Sequence, residues 1–179
     1  MFAIWRRLDV PGHDACRLIR SAEQIQLSGC AIFAQPVATL LMYEVTCDPE
    51  WRALRGMVSG WQGPREIHHE FVRQRDAEWT HNDQLVQAVS GCVDLDFAFT
   101  PATNRIQLER LQLAIGQSAD APAAWFDLED ETLKVLPQRY ERRTEFTYWY
   151  EAPTVGYAAE LQIAASGFVA RYPGLWEAS

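Results

Sequence analysis

Apolar side chains recur at every second position through much of this chain. That period marks strands that bury one face, because successive side chains on a strand point to opposite sides. Val155, Tyr157, Ala159, Leu161 and Ile163 alternate with Gly156, Ala158, Glu160 and Gln162, while Phe146, Tyr148 and Tyr150 share a face opposite Trp149. The same pattern predicts strands over residues 25–33, 39–47, 54–61, 65–73, 93–99 and 133–135. Turn residues separate the runs, among them Pro11-Gly12, Pro49, Gly63-Pro64, Pro101, Gly116, Pro122, Pro137, Pro153, Gly167 and Pro173-Gly174. Short strands with such punctuation point to an all-β sandwich or barrel-like sheet. Between residues 106 and 115 the phase flips, since Ile106 and Leu108 lie on one parity and Leu111, Leu113 and Ile115 on the other, which predicts a β-bulge or sharp bend. Short helices fit residues 121–126 and 83–90. No linker or internal repeat divides the 179 residues, so 1–179 reads as a single domain.

Charge narrows the range of partners. With 24 acidic residues against 16 basic ones the net charge is −8, the wrong sign for a surface that neutralises phosphates, and nucleic acid is not expected as a partner. Cys16, Cys30, Cys47 and Cys92 include no CxxC pair and no histidine at a zinc-finger offset, so they are expected to be free thiols and no structural metal is expected. The opening apolar run precedes Arg6-Arg7, the reverse of a secretory signal's order, so the mature chain is expected to start here. No apolar run approaches the roughly 20 residues of a transmembrane helix, and the expected location is the cytoplasm.

Several constellations could carry chemistry. On a strand, Asp94 and Asp96 share one face while Leu95, Phe97 and Phe99 share the other, with the two Cα atoms about 7 Å apart. Such a pair is ordinarily a solvent face or a partner set for Arg105 and Arg110. It also suits hydroxyl binding or the acid/base work of glycoside hydrolysis. The segment 100–105 reads as a rigid turn whose Thr100, Thr103 and Asn104 could face sugar hydroxyls. His68 and Glu70 fall on one strand face and His69 on the other, and His13 and His81 stand apart, so no convergent metal set is expected. No GxSxG elbow, P-loop or GxGxxG is present. The aromatic C-terminal run, with Tyr172 and Trp176, is expected to dock on the fold rather than fray.

Four segments in order resemble one bacterial family, the "putative glycolipid-binding" proteins, formerly a domain of unknown function. They are Trp5-Arg6-Arg7-Leu8-Asp9 with Gly12-His13-Asp14; Gly91-Cys92-Val93-Asp94-Leu95-Asp96-Phe97 with Phe99-Thr100-Pro101-Ala102-Thr103-Asn104; Leu136-Pro137-Gln138-Arg139-Tyr140-Glu141; and Gly167-Phe168-Val169 through Tyr172-Pro173-Gly174-Leu175-Trp176. The chain departs from the family pattern at Arg75-Asp76-Ala77-Glu78-Trp79 and at Ala164-Ala165-Ser166. The resemblance implies a mostly β domain of strongly bent antiparallel sheet, a barrel or half-barrel whose concave apolar face suits lipid. The expectation is therefore a non-enzymatic binder of a glycolipid or similar amphiphile, with no cofactor and no catalytic residues. Its candidate ligand-binding residues are Asp94, Asp96, Thr100, Thr103, Asn104, Arg105, Arg110, Trp61, Trp149 and Trp176. The alternatives are a hydrolase of glycans or glycolipids working through Asp94 and Asp96, or a protein-interaction module.

Overall fold

The computed structural model describes residues 1–74 and 77–179. A meander of long strands comes first: β1 (Phe2–Arg7), β2 (Gly12–Arg20), β3 (Ile25–Ala34), β4 (Ala38–Cys47), β5 (Ala53–Gln62) and β6 (Arg65–Arg73), followed by the short β7 (Trp79–His81) and β8 (Gln84–Leu85). Next come β9 (Asp94–Phe97), the helix α1 (Asn104–Leu111), β10 (Ser118–Asp120), β11 (Ala123–Asp127), β12 (Thr132–Leu136) and β13 (Arg139–Arg142). The chain closes with β14 (Thr147–Ala152), β15 (Tyr157–Ile163), β16 (Val169–Tyr172) and β17 (Trp176–Ala178).

Fourteen of these strands form one antiparallel sheet, in the order β10-β13-β14-β15-β16-β17-β1-β2-β3-β4-β5-β6-β7-β8. The two ends of the chain meet inside it, where β1 pairs with β17. The edge strands β8 and β10 do not pair with each other, so the sheet stays open as a half-barrel. Alternation sets its inner face: Ile25, Leu27, Ala31 and Phe33 of β3, Leu41, Tyr43 and Val45 of β4, and Ile67, His69 and Phe71 of β6 are buried. Against that face lies a three-stranded sheet, β12-β11-β9, in which β9 runs parallel to β11. Every residue of β9 is buried, as expected of a strand covered on both sides. Phe97 and Phe126 from this inner layer pack on Phe71 of the large sheet, at ring-centroid distances of 5.8 and 4.9 Å.

Three expectations are corrected. The phase flip after residue 105 is a helix, not a bulge: α1 buries Ile106 and Leu108 but also Asn104, Arg105 and Gln107, so it has no polar face to give it a helical period. Residues 121–126 are not helical, because β11 pairs with both β9 and β12 there. Within 83–90 only a single 3₁₀ turn at Gln87–Val89 forms, after the two-residue strand β8. β14 begins at Thr147, and Phe146 sits in the preceding turn, largely exposed. Strands β1 and β2 carried no readable alternation for a physical reason. In β1 the exposed side chains include Phe2 and Ile4, and in β2 one of the inward residues is Asp14.

Of the departures from the family pattern, Arg75 and Asp76 lie outside the described residues. The other is a tight turn in which the Gly167 amide donates to the Ala164 carbonyl at 2.7 Å. Gly167 has φ +80°, and a Cβ there would lie 2.1 Å from Arg105 Nη1, so both backbone and space call for glycine. The C-terminal run docks as β16 and β17, with Tyr172 and Trp176 buried.

Candidate ligand-binding site

Antiparallel pairing brings the ends of β1, β3, β5, β14 and β16, and the starts of their partners, to one rim of the half-barrel. At this rim a cavity of about 270 Å³ opens between the inner layer and the C-terminal strands. Its wall is mainly aromatic and apolar: Phe97, Trp125, Leu136, Tyr150, Tyr157, Tyr172 and Trp176. Tyr150, Tyr157 and Tyr172 form a mutually packed cluster, with ring centroids 5.1–6.1 Å apart. The Tyr157 hydroxyl donates to the Pro173 carbonyl at 2.7 Å.

The polar part of the wall comes from the segment that leaves β9. Asp96, Thr100 and Asn104 all line the cavity. Asp96 is buried, and desolvation pushes its carboxyl up to about 6 although Thr103 and Gln138 hydrogen-bond to it. Thr103, at the N-terminus of α1, directs its hydroxyl to Asp96 instead of capping the helix. Asn104 Nδ2 donates to the Tyr140 hydroxyl at 2.7 Å, and the Tyr150 hydroxyl donates to Gln138 Oε1 at 2.8 Å. Burial raises the Tyr140 and Tyr150 hydroxyls well above the ordinary tyrosine range. Both hydroxyls are neutral and already donate within the protein, Tyr140 to Gln107 and Tyr150 to Gln138, so they brace the polar wall from behind.

The sequence-derived residues thus divide. Asp96, Thr100, Asn104 and Trp176 converge on one cavity, and Thr103 stands behind Asp96. Asp94 does not face solvent as a strand-surface carboxylate would: it is fully buried, and Arg110 grips it with two hydrogen bonds of 2.8 and 2.6 Å. The two aspartates therefore present no common cleft. Arg105 pairs with Glu109 and stacks 5.6 Å from the Trp51 ring, away from both aspartates. Trp61 is 40% exposed on β5, and Trp149 points away from the tyrosines and donates to Glu151 at 2.9 Å.

His81 is not isolated. Its Nε2 lies 2.8 Å from Nδ1 of His69, and both rings pack on Phe71 and Phe126. Burial lowers the affinity of both for a proton. The Glu131 carboxylate approaches the other nitrogen of His69, at 3.9 Å, so these groups do not converge on a point. Among the described residues no group of three or more histidine, cysteine or acidic side chains has the geometry to hold a metal ion.

The family model described as "Putative glycolipid-binding" matches residues 2–178. The chain belongs to that family. Its fold is similar to the crystal structure of a DUF1089 family protein from Pseudomonas aeruginosa, with a TM-score of 0.77 and 23% sequence identity over 92% of this chain and 91% of that one. No curated protein matches. The aromatic C-terminal run points to Tyr172 and Trp176, but no motif in the sequence of this family member marks Tyr150, Tyr157, Trp125 or the Gln138–Tyr140 support as part of the site. Period-two alternation marks Tyr150 and Tyr157 only as apolar strand faces, and the signal that could have found them is that both faces carry a hydroxyl-bearing ring.

Proposed function

We propose that this chain is a non-enzymatic binder of an amphiphile, whose apolar end enters the aromatic cavity at the rim. The observation that carries this reading is the meeting of Trp125, Tyr150, Tyr157, Tyr172 and Trp176 with the few polar groups of Asp96, Thr100 and Asn104 around one hollow. Pockets that bind small molecules have this composition, apolar and aromatic walls with a small number of polar groups that fix orientation. Burial of an alkyl segment at about 25 cal/mol per Å² of apolar surface supplies the driving force. Membership of a family named for glycolipid binding favours an amphiphile over a purely polar ligand. Hydrolysis through Asp94 and Asp96 is the weaker reading, because Asp94 is sealed by Arg110.

Native mass spectrometry of freshly purified protein, followed by organic extraction and lipid analysis, tests the proposal. A stoichiometric adduct that is recovered as an amphiphile supports it. Protein that is bare, and stays bare after incubation with alkyl glycosides and fatty acids, overturns it.

A further inference from the structure

We infer that a second cavity on the same rim is the subsite for an uncharged polyhydroxyl head group, so that one amphiphile spans both hollows. The inference rests on the binding reading above and adds to it the head-group class and the residues that select it. Its first support is size. The aromatic cavity, at about 270 Å³, falls below the range of roughly 300–1,000 Å³ typical of pockets that enclose a whole ligand. It has room for one end of an amphiphile. The neighbouring cavity offers about 560 Å³.

The second support is continuity. Ala98 lines both cavities. Between them stands Arg7, its guanidinium 4.7 Å from the ring centre of Phe33, which lines the larger cavity, and 5.4 Å from that of Trp176, which lines the aromatic one. Ala98 is exposed, so the wall the two hollows share carries only a methyl group at this point.

Chemistry is the third. The larger cavity is polar where the first is aromatic: its wall holds Arg7 and Arg65 together with the carboxylates of Asp127 and Glu129. Neither arginine is free to grip a phosphate. Arg7 is held by Asp9 through hydrogen bonds of 2.8 and 3.0 Å, and Arg65 by Glu131 and Gln62. Gln35 and Gln62 accept from these arginines through their carbonyl oxygens, which leaves both amide NH₂ groups without a protein acceptor among the described residues. Amide donors and carboxylate acceptors in one wall, with Phe33 and Phe99 contributing its apolar part, match a sugar-like ring, which carries hydroxyls around its edge.

Calorimetric titration of delipidated protein with octyl glucoside, 1-octanol and octyl phosphate, all below their micelle concentrations, tests the inference. Octyl glucoside is expected to bind about tenfold tighter than octanol, the worth of one or two net hydrogen bonds, and octyl phosphate no tighter than octanol. The double variant Gln35→Ala with Gln62→Ala should lose the preference for glucoside while its affinity for octanol is unchanged. Three outcomes overturn the subsite yet leave the aromatic cavity as a chain-binding site: octyl phosphate binds tightest, glucoside and octanol bind alike, or the double variant weakens both equally. If none of the three octyl compounds binds the wild-type chain, the binding reading itself has failed and the subsite falls with it.

Discussion

Asp14 lies on the inner face of β2, almost fully buried, where it accepts hydrogen bonds from Thr100 and, at 3.0 Å to each oxygen, from Tyr43. Burial pushes its carboxyl up from 3.8 to about 7, a larger rise than at Asp96. In the unfolded chain it ionises near its ordinary value, so between those two pH values the folded state holds the extra proton. Its contribution to stability is present below about pH 4 and is lost as pH rises through 7, an effect on the order of 4 kcal/mol. His69 and His81 act in the opposite sense, because their lowered proton affinity favours the fold above 6.5 and is lost on acidification. The difference between wild type and Asp14→Asn isolates the carboxyl. Urea unfolding across pH 5–8 should find the variant the less stable at low pH, with the gap narrowing or reversing at high pH; parallel profiles would contradict the assignment. Asp14 also marks how far the site was readable. Asp96, Thr100, Asn104 and Trp176 stood out as polar or amphiphilic residues in a strand-turn segment and an aromatic tail, and they do converge. Asp94 and Arg110 carried the same signal and turned out to satisfy each other, since burial cannot be read from residue type alone.

At the scale of elements, the long strands β3, β4 and β6 were legible because each keeps a two-residue period, and β5 because it does so from Gly56 onward, past a bulge opposite Cys47; the bounds of all four fall within one residue of the pattern. The inner layer was not. Covered on both faces, β9 and β11 lack polar positions to set a phase, and α1 replaces its polar face with Asn104, Arg105 and Gln107 bound into the core. How closely the two layers approach is visible at Gly56 on β5, where an added Cβ would lie 2.1 Å from Leu95 Cδ2, 3.2 Å from Phe97 Cζ and 3.4 Å from Phe71 Cδ2. Leu95 is fully buried and has little room to give way. Gly56→Ala should therefore cost about 1–3 kcal/mol through overpacking, whereas Ser59→Ala, on the outer face of the same strand, should stay within about 0.5 kcal/mol. Urea unfolding with an unchanged m-value measures both. A neutral Gly56→Ala would mean that the layers are separated more widely than the fold implies.

The whole molecule is an open sheet that avoids the hazards of openness by two means. Its edges are only two and three residues long, β8 and β10, and offer little backbone for another chain to pair with. Its inner face is filled by the chain's own strands and helix, so the aromatic hollow proposed for a ligand sits at the rim and not along the length of the half-barrel. A ligand seated there touches β9, the start of α1 and the C-terminal strands together, and so binds only the folded arrangement of all three. Binding of that kind raises stability by mass action, by about 2.7 kcal/mol at 100 times the dissociation constant. For a chain of this length each kcal/mol moves the thermal midpoint by roughly 2–4 °C, so a rise of about 5–10 °C is expected with uncharged amphiphiles. Nucleic acids should give none, because the net charge of −8 repels polyanions. Tryptophan emission gives a local readout of the same event. Trp176 lines the cavity, while Trp61 and Trp149 do not. The emission change on adding ligand should shrink in Trp176→Phe and persist in Trp61→Phe and Trp149→Phe. A melting shift with an emission change carried by Trp61 or Trp149 instead would move the ligand to the outer face of the sheet, and with it the site.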